Sequence, residues 1–349
     1  MNYGFWNFYK VYNQNRMLTR NVTPLGDDLS YPMRHLSETL ISMGHQTATL
    51  DMQPLEWFDR VFFLDYPTRV NGYYRGLLEK KHADINLIIC EPPIVRPDNY
   101  NKQNHQPFRK VMTWKRDLAA SDPAKYLLYH LPNKFQERTA ARPFAERKLC
   151  CLINSFMFSI HPRELYTERI RAIRWFEANA PGSFDLIGVE WDKPLFTGQL
   201  SRLNFPLRFF YRRIGLLKKL KVRRFPSFIG PNVKTKHLTL KDYRFCIAYE
   251  NSREPDYLSE KLFDCFFAGC VPIYDGAPNV LDTIPANTFI DKRKYSYDEL
   301  YRYISAMTEQ EYNGYLEAIA SFLRSPAMRP FTAEAYTEFF VGNFAQGRG

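Results

Sequence analysis

Tyr243-Arg-Phe-Cys-Ile-Ala-Tyr-Glu-Asn-Ser-Arg-Glu-Pro-Asp-Tyr-Leu-Ser-Glu-Lys261 is the stretch on which the reading of this chain turns. An apolar run ends abruptly in Glu250-Asn251-Ser252, as a buried strand does at the edge of a parallel sheet. Pro255 marks a turn, and Leu258, Leu262, Phe263, Phe266 and Phe267 give one apolar face to a helix expected over about Tyr257 to Ala268. A helix N-terminus offers free backbone N–H groups and partial positive charge, which suits a pyrophosphate or a hydroxyl-rich ribose. Tyr257 and Lys261 are four apart and would share a helix face. Lys261 then neutralises a diphosphate with Tyr257 beside it, while Glu260 accepts hydrogen bonds from sugar hydroxyls. A capped, solvated helix start with an exposed ion pair fits the same residues.

Outward from this stretch the pattern repeats. Upstream, Val61–Leu64, Ile85–Cys90, Lys110–Trp114 and Tyr126–Tyr129 are short apolar runs between helix-like or turn-rich segments, and each reads as a buried strand. Glu91-Pro92-Pro93-Ile94-Val95-Arg96-Pro97 follows the second run, and its prolines make a stiff loop at the edge where open α/β sheets bind ligands. After a polar stretch from Asn133 to Arg147, strands are expected at Leu149–Asn154, Phe184–Val189, Phe245–Tyr249, Val271–Tyr274 and Thr288–Ile290. Helices are expected at Tyr166–Ala178, Asp298–Met307 and Glu309–Leu323. The fold class is therefore α/β, with two Rossmann-like lobes and a cleft between them. Residues 1–147 make the first lobe, 148–330 the second, and 331–349 pack back on the first.

With 28 Phe, 23 Tyr and 5 Trp the chain is rich in rigid rings, which suit sugar recognition but equally fill cores. The six cysteines, Cys90, Cys150, Cys151, Cys246, Cys265 and Cys270, sit in apolar runs without a CxxC pair; they read as reduced core thiols and a cytoplasmic compartment. No window reaches the roughly 18 uninterrupted apolar residues of a spanning helix, and no signal peptide is visible. Thirteen of the positive charges lie between Asp192 and Asp242, where there is no acidic residue, so an anionic ligand or surface is expected near that segment of a chain whose net charge is +11. Within residues 201–225, Phe210, Ile214 and Leu217 share one helical face. Arg208, Arg212, Arg213, Lys218 and Lys219 are then candidates for contact with anionic lipid at the inner face of the cell membrane. A solvated basic helix is the plainer alternative. Such charge also suggests a nucleic-acid-binding protein, but that reading leaves Asn251–Lys261 unexplained, so no nucleic-acid partner is expected. No D-x-D motif occurs and the seven histidines lack metal-ligand spacing, so no metal site is expected.

Three segments in sequence, Tyr243–Ser252, Asp256–Asp264 and Gly269–Asn279, resemble the signature of the family 10 glycosyltransferases, the bacterial-type α-1,3/1,4-fucosyltransferases. That signature is a strand ending F-E-N-S, a spacer, Y-x-T-E-K, and V-P-I-x-x-G. Weaker similarity runs through Leu165–Phe176 and the Cys90-Glu91-Pro92 loop. The resemblance implies a GT-B-type fold with an N-terminal acceptor lobe and a C-terminal donor lobe. It implies an inverting, metal-independent glycosyltransferase without cofactors, which moves L-fucose from GDP-fucose to a hydroxyl of a glycan acceptor in α-1,3 or α-1,4 linkage. GlcNAc in a lipopolysaccharide or O-antigen-type glycan is the expected acceptor.

On that resemblance Asn251, Tyr257, Glu260 and Lys261 match the donor-binding positions. Arg169, in Glu168-Arg-Ile-Arg-Ala-Ile-Arg-Trp-Phe176, matches the arginine that grips the diphosphate, with Arg171 and Arg174 as alternatives. Glu91 stands where the family carries the carboxylate of an E-S-P-like loop, its general base. The chemistry needs such a group because the acceptor hydroxyl must lose a proton as it attacks the anomeric carbon; a carboxylate that only caps or pairs near Arg96 is the alternative. Two positions depart from the signature. Ser259 replaces the usual threonine, and Asp275 stands where an aromatic commonly precedes the glycine, which leaves a GT-B enzyme for another nucleotide sugar open.

Overall fold

The computed structural model of the 349-residue chain describes residues 1–20, 28–136, 142–193, 196, 203, 204, 207, 224–231 and 235–345. They belong to two compact units, Met1–Gln136 with Pro326–Gly349, and Glu137–Ser325. The divisions fall after Gln136 and Ser325 instead of after residues 147 and 330.

The first unit is built on a wholly parallel sheet of six strands: β1 (Asn2–Asn7), β2 (Gln46–Thr49), β3 (Arg60–Leu64), β4 (Ile85–Ile88), β5 (Lys110–Thr113) and β6 (Tyr126–Leu128). Their order across the sheet is β2-β1-β3-β4-β5-β6. Every residue of β3 is buried, because a central parallel strand has both faces covered. Phe62 and Leu64 point into one core and Val61 and Phe63 into the other, the period-two alternation of a strand. The first core is closed by α2 (Tyr31–Ser42), which follows the short α1 (Arg16–Thr19), and by the C-terminal helix Ala333–Phe344. Phe340 and Phe344 bring their rings within 4.6 and 4.9 Å of Phe62. α3 (Gly72–Glu79) covers the opposite core with Tyr74 and Leu77, and α4 (Arg116–Ser121) joins β5 to β6. Two strands have no counterpart in the sequence pattern. NYGFWN and QTAT lack a continuous apolar run, and pairing of Gly4 with Ala48 and Val61 makes them strands.

The second unit carries β7 (Lys148–Ile153), β8 (Phe184–Ile187), β9 (Phe228–Gly230), β10 (Tyr243–Tyr249), β11 (Val271–Asp275) and β12 (Ile290–Asp291), again all parallel. They lie in the order β9-β8-β7-β10-β11-β12, which counted within the unit is the 3-2-1-4-5-6 order of dinucleotide-binding sheets. Its helices are α5 (Tyr166–Asn179), α6 (Lys236–Leu240), α7 (Glu260–Ala268), α8 (Tyr297–Ala306) and α9 (Glu309–Arg324). The strand expected at Thr288–Ile290 is instead a 3-10 turn over Ala286–Thr288 followed by the two residues of β12. Cys150, Cys151, Cys246, Cys265 and Cys270 are buried in this unit, Cys90 is partly buried in the other, and all six are free thiols.

Candidate active site

The second sheet changes direction between β7 and β10, and sheets of this kind bind ligands outside the C-terminal ends of the strands at that point. Glu250 and Asn251 leave β10 there. Glu250 is completely buried, and its carboxylate gathers the loop that follows. Its Oε1 accepts from the Ser259 backbone N–H at 2.8 Å, and its two oxygens lie 3.0 and 2.7 Å from the Ser259 hydroxyl. The Lys261 ammonium is 3.4 Å from Oε2 and donates to Ser259 Oγ at 3.0 Å. A carboxylate removed from water needs a cation and several donors, and this helix start supplies both. Ser259 also caps α7.

Lys261 further sits 3.5 Å from Glu260, whose other cation is Lys236 at 3.5 Å. Burial would raise the Glu260 carboxyl, but Lys261 and Lys236 hold it well below the usual carboxylate range. Glu260 is thus an ionised acceptor beside an ammonium. Gly276 makes room for this arrangement: a Cβ there would come within 2.6 Å of Glu250 Cγ and 2.3 Å of the Tyr274 hydroxyl.

α5 delivers Arg169 to the same strand end. Its Nη2 donates to the carbonyls of Tyr249 and Glu250, each at 2.7 Å, and to Asn251 Oδ1 at 3.2 Å. The guanidinium is 5.0 Å from the Tyr166 ring centroid and almost wholly buried. Burial lowers its pKa, against the opposing pull of Tyr166 and Glu250. Arg169 Nε and Ser252 Oγ are buried without hydrogen-bond partners. A buried polar group left unpaired costs about 1–3 kcal/mol, so two beside one strand end mark a place where a polar ligand has something to satisfy. Arg171 and Arg174 point elsewhere, to Glu168 at 3.0 Å and Glu177 at 2.9 Å, with half-exposed or exposed side chains.

Two expectations change. Tyr257 does not share a helix face with Lys261, because α7 begins only at Glu260. Before it, Asp256 is in the left-handed region at φ +68° and is clamped by Asn279, which accepts from its backbone N at 2.9 Å and donates to its Oδ1 at 2.8 Å. Glu250 then claims the Ser259 N–H and fixes the cap. Tyr257 is buried nearby, close enough for its phenol to act on the charge of Arg169. Asp275 is likewise not a carboxylate open to a donor sugar. It is buried, and Arg253 donates to both its oxygens, at 2.8 and 2.6 Å.

In the first unit Glu91 stands three residues past Ile88, the last residue of β4, at the C-terminal edge of the sheet. Asp65, one residue past β3, holds it by the backbone: Oδ1 accepts from Cys90 N at 2.8 Å, Glu91 N at 3.0 Å and Asn99 Nδ2 at 2.7 Å. The Glu91 carbonyl accepts from the Tyr100 hydroxyl at 2.8 Å. Burial pushes the Asp65 carboxyl up despite these donors. Partial burial, then the neighbouring charges of Glu91 and Asp65, push the Tyr9 phenol up to about 12. The Glu91 carboxylate also raises Tyr12, after burial. Arg96, the alternative partner for Glu91, donates to the Tyr66 carbonyl and lies over the Phe8 ring at 4.4 Å.

Asn251, Glu260, Lys261 and Arg169 therefore converge on one strand end, with Tyr257 buried alongside, and Glu91 occupies a strand edge of the other unit. Glu250 and Asp65 were not anticipated. Their shared signal is an acidic residue directly after a buried strand. Arg208, Arg212, Arg213, Lys218 and Lys219 lie outside the described residues. Among the described residues no group of His, Cys, Asp or Glu is placed to hold a metal ion, and no helix is long and apolar enough to cross a membrane.

Residues 215–325 match the profile of the glycosyltransferase family 10 (fucosyltransferase) C-terminal region. A GDP-fucose protein O-fucosyltransferase 3 of Gallus gallus is 40% identical over 82 residues, which cover 22% of this chain and 17% of that protein. An α-(1,3)-fucosyltransferase FucT of Helicobacter pylori is 32% identical over 92 residues, 26% of this chain and 19% of that protein. The chain thus spans less than a fifth of the length of either relative. Over its whole length the chain aligns with a crystal structure of an α1,3-fucosyltransferase at 15% identity, covering 91% of that chain, with a TM-score of 0.52. An α-glucosyltransferase in complex with UDP and DNA aligns over 99% of this chain and 98% of its own, at 10% identity and a TM-score of 0.57. Identities this low show the shared two-lobed fold alone.

Proposed function

We propose that this chain, which carries a glycosyltransferase family 10 (fucosyltransferase) C-terminal region over residues 215–325, is an inverting transferase that moves L-fucose from GDP-fucose to a hydroxyl of a glycan acceptor. The observation that carries the reading is the Lys261 ammonium, held between Glu250 and Glu260 at the direction change of a dinucleotide-type sheet. A fixed cation with limited water access meets the negative charge that gathers on departing GDP. Glu260, ionised, accepts from ribose or fucose hydroxyls. Arg169 holds the carbonyls of Tyr249 and Glu250 in place, and its unpaired Nε faces the same need for an anion.

In this reading the acceptor oxygen attacks the anomeric carbon as the bond to the diphosphate oxygen breaks. The bonding pair leaves with GDP, and the acceptor proton passes to Glu91. One carboxylate suffices for inversion by direct displacement. Lys261 and Arg169 supply the electrostatic support, so the reaction is proposed to run without a metal or cofactor. An α-1,3 or α-1,4 linkage to GlcNAc of a lipopolysaccharide or O-antigen-type glycan fits the resemblance, and the basic stretch 201–225 fits an enzyme resting on the inner face of a cytoplasmic membrane.

Calorimetric titration with GDP, GDP-fucose, GDP-mannose, UDP-galactose and a short RNA, in EDTA, tests the donor. Binding of GDP and GDP-fucose alone is expected; binding of UDP-galactose or RNA in their stead would overturn the reading.

A further inference from the structure

The first sheet also changes direction, between β1 and β3, since β2 lies on the far side of β1 and all later strands lie beyond β3. The same rule that places a ligand beside Glu250 places one outside the C-terminal ends of β1 and β3. β3 delivers Asp65 there, and its neighbour β4 delivers Glu91. β1 delivers Phe8 and Tyr9, which follow its last residue, Asn7.

These two rings are unusual in the unit. Phe8 is 51% and Tyr9 49% exposed, and among the described residues of the first unit no other aromatic side chain is exposed. Large rings left open to water at a ligand-binding edge need a reason. Nor are they loose. The Tyr9 backbone N donates to Asn7 Oδ1 at 2.8 Å, and Tyr12 N donates to the Tyr9 carbonyl at 3.0 Å. Phe8 and Tyr9 meet edge to face at 5.6 Å, Tyr9 and Tyr12 at 6.5 Å, and the Arg96 guanidinium rests over Phe8 at 4.4 Å. Arg96 is itself tied to the Tyr66 carbonyl. The result is a pinned aromatic shelf beside a carboxylate: the charge of Glu91 acts directly on the phenols of Tyr9 and Tyr12.

A pyranose has the complementary chemistry. One face carries C–H groups with slight positive character, which pack on the negative face of an aromatic ring, and its rim carries hydroxyls that donate to carboxylates and phenols. A flat apolar partner would leave Glu91 and the two phenols without use, and a phosphate would meet Glu91 with like charge. We infer that Phe8, Tyr9 and Tyr12 form, with Glu91, a binding platform for a pyranose ring of the acceptor saccharide. This rests on the transfer reading only for the word acceptor. The platform itself follows from the first unit alone.

The test titrates the full chain, saturated with GDP, with N-acetyllactosamine, lactose and N-acetylglucosamine, by calorimetry and by saturation-transfer NMR. Phe8→Ala and Tyr9→Ala are each expected to weaken saccharide binding roughly tenfold, and Tyr9→Phe by less than about threefold because the ring remains. Melting temperature and GDP affinity should not move, since the side chains are exposed and belong to the other unit. Unchanged saccharide affinity in both alanine variants overturns the inference. So does a wild-type chain that binds GDP and none of the three saccharides. Loss of saccharide binding by the variants of a chain that binds no GDP would overturn the transfer reading and leave the platform standing.

Discussion

The two sheet edges solve one problem with opposite chemistry. Each places a buried acid one residue past a central strand, Asp65 after β3 and Glu250 after β10, and each acid organises the loop that carries a candidate functional residue. Asp65 is satisfied by the backbone N–H groups of Cys90 and Glu91 and by the Asn99 amide, all neutral donors. Glu250 is satisfied by Ser259 and the ammonium of Lys261. The first edge therefore carries the Glu91 carboxylate beside the Tyr9 and Tyr12 phenols, which on the proposed function are the groups that meet a hydroxyl and its proton. The second carries the Lys261 ammonium, held between the Glu250 and Glu260 carboxylates, which on the proposed function is the cation that meets a diphosphate. The nature of the partner given to the buried acid decides which kind of ligand each edge suits.

The largest expected effect tests the first edge. Glu91→Gln should leave GDP affinity intact and slow transfer between roughly 100- and 10,000-fold, the span of a lost general base. Loss of GDP binding in this variant would mean that the two edges are not separate in role, and the comparison would fail. At the second edge, Lys261→Ala removes the cation and leaves Glu250 buried without it, which should cost roughly 3 kcal/mol of stability in urea unfolding. It should also weaken GDP binding at least about tenfold. Adding Glu250→Gln should return most of the stability and none of the GDP affinity. A double variant that binds GDP normally would show Lys261 to be only the counter-ion of Glu250.

Gly276→Ala should destabilise the second unit by about 1–3 kcal/mol through overpacking against Glu250 and Tyr274. A neutral substitution there would mean that Glu250 can move aside. The smallest effects are those of pH. The folded Asp65 carboxyl lies above its unfolded value, so its contribution is present below about pH 4 and is lost as pH rises through the folded value; Asp65→Asn should flatten that decline. Glu260 lies below its unfolded value, so its contribution is present above about pH 4 and is lost as pH falls; Glu260→Gln should remove that acid sensitivity. Urea melts across pH should show the two slopes with opposite sign. Slopes of the same sign would erase the electrostatic contrast.

Much of this was legible in the chain itself. Continuous apolar runs such as Val61–Leu64 and Val271–Tyr274 read as strands buried on both faces and are found in β3 and β11, and the Ser259-Glu260-Lys261 run after Pro255 announced a helix start near a strand end. What was not legible depended on partners distant in sequence. Asn2–Asn7 became a strand through Gln46–Thr49 and Arg60–Leu64, not through its own pattern. Arg169 was already named through the family resemblance, with Arg171 and Arg174 as alternatives; the fold separates the three, because only that position of α5 faces the carbonyls of β10. Asp275 looked like a ligand-facing departure until Arg253, twenty-two residues away, took both its oxygens.

The sequence by itself determined the α/β alternation, most strand positions and the residue types at the second edge, because hydrophobic period, prolines and caps act over a few residues. The tertiary structure alone decided which acid is buried, which cation answers it and which rings stay exposed. Burial and ion pairing are set by side chains brought together across the fold, and their energies depend on the water that packing removes.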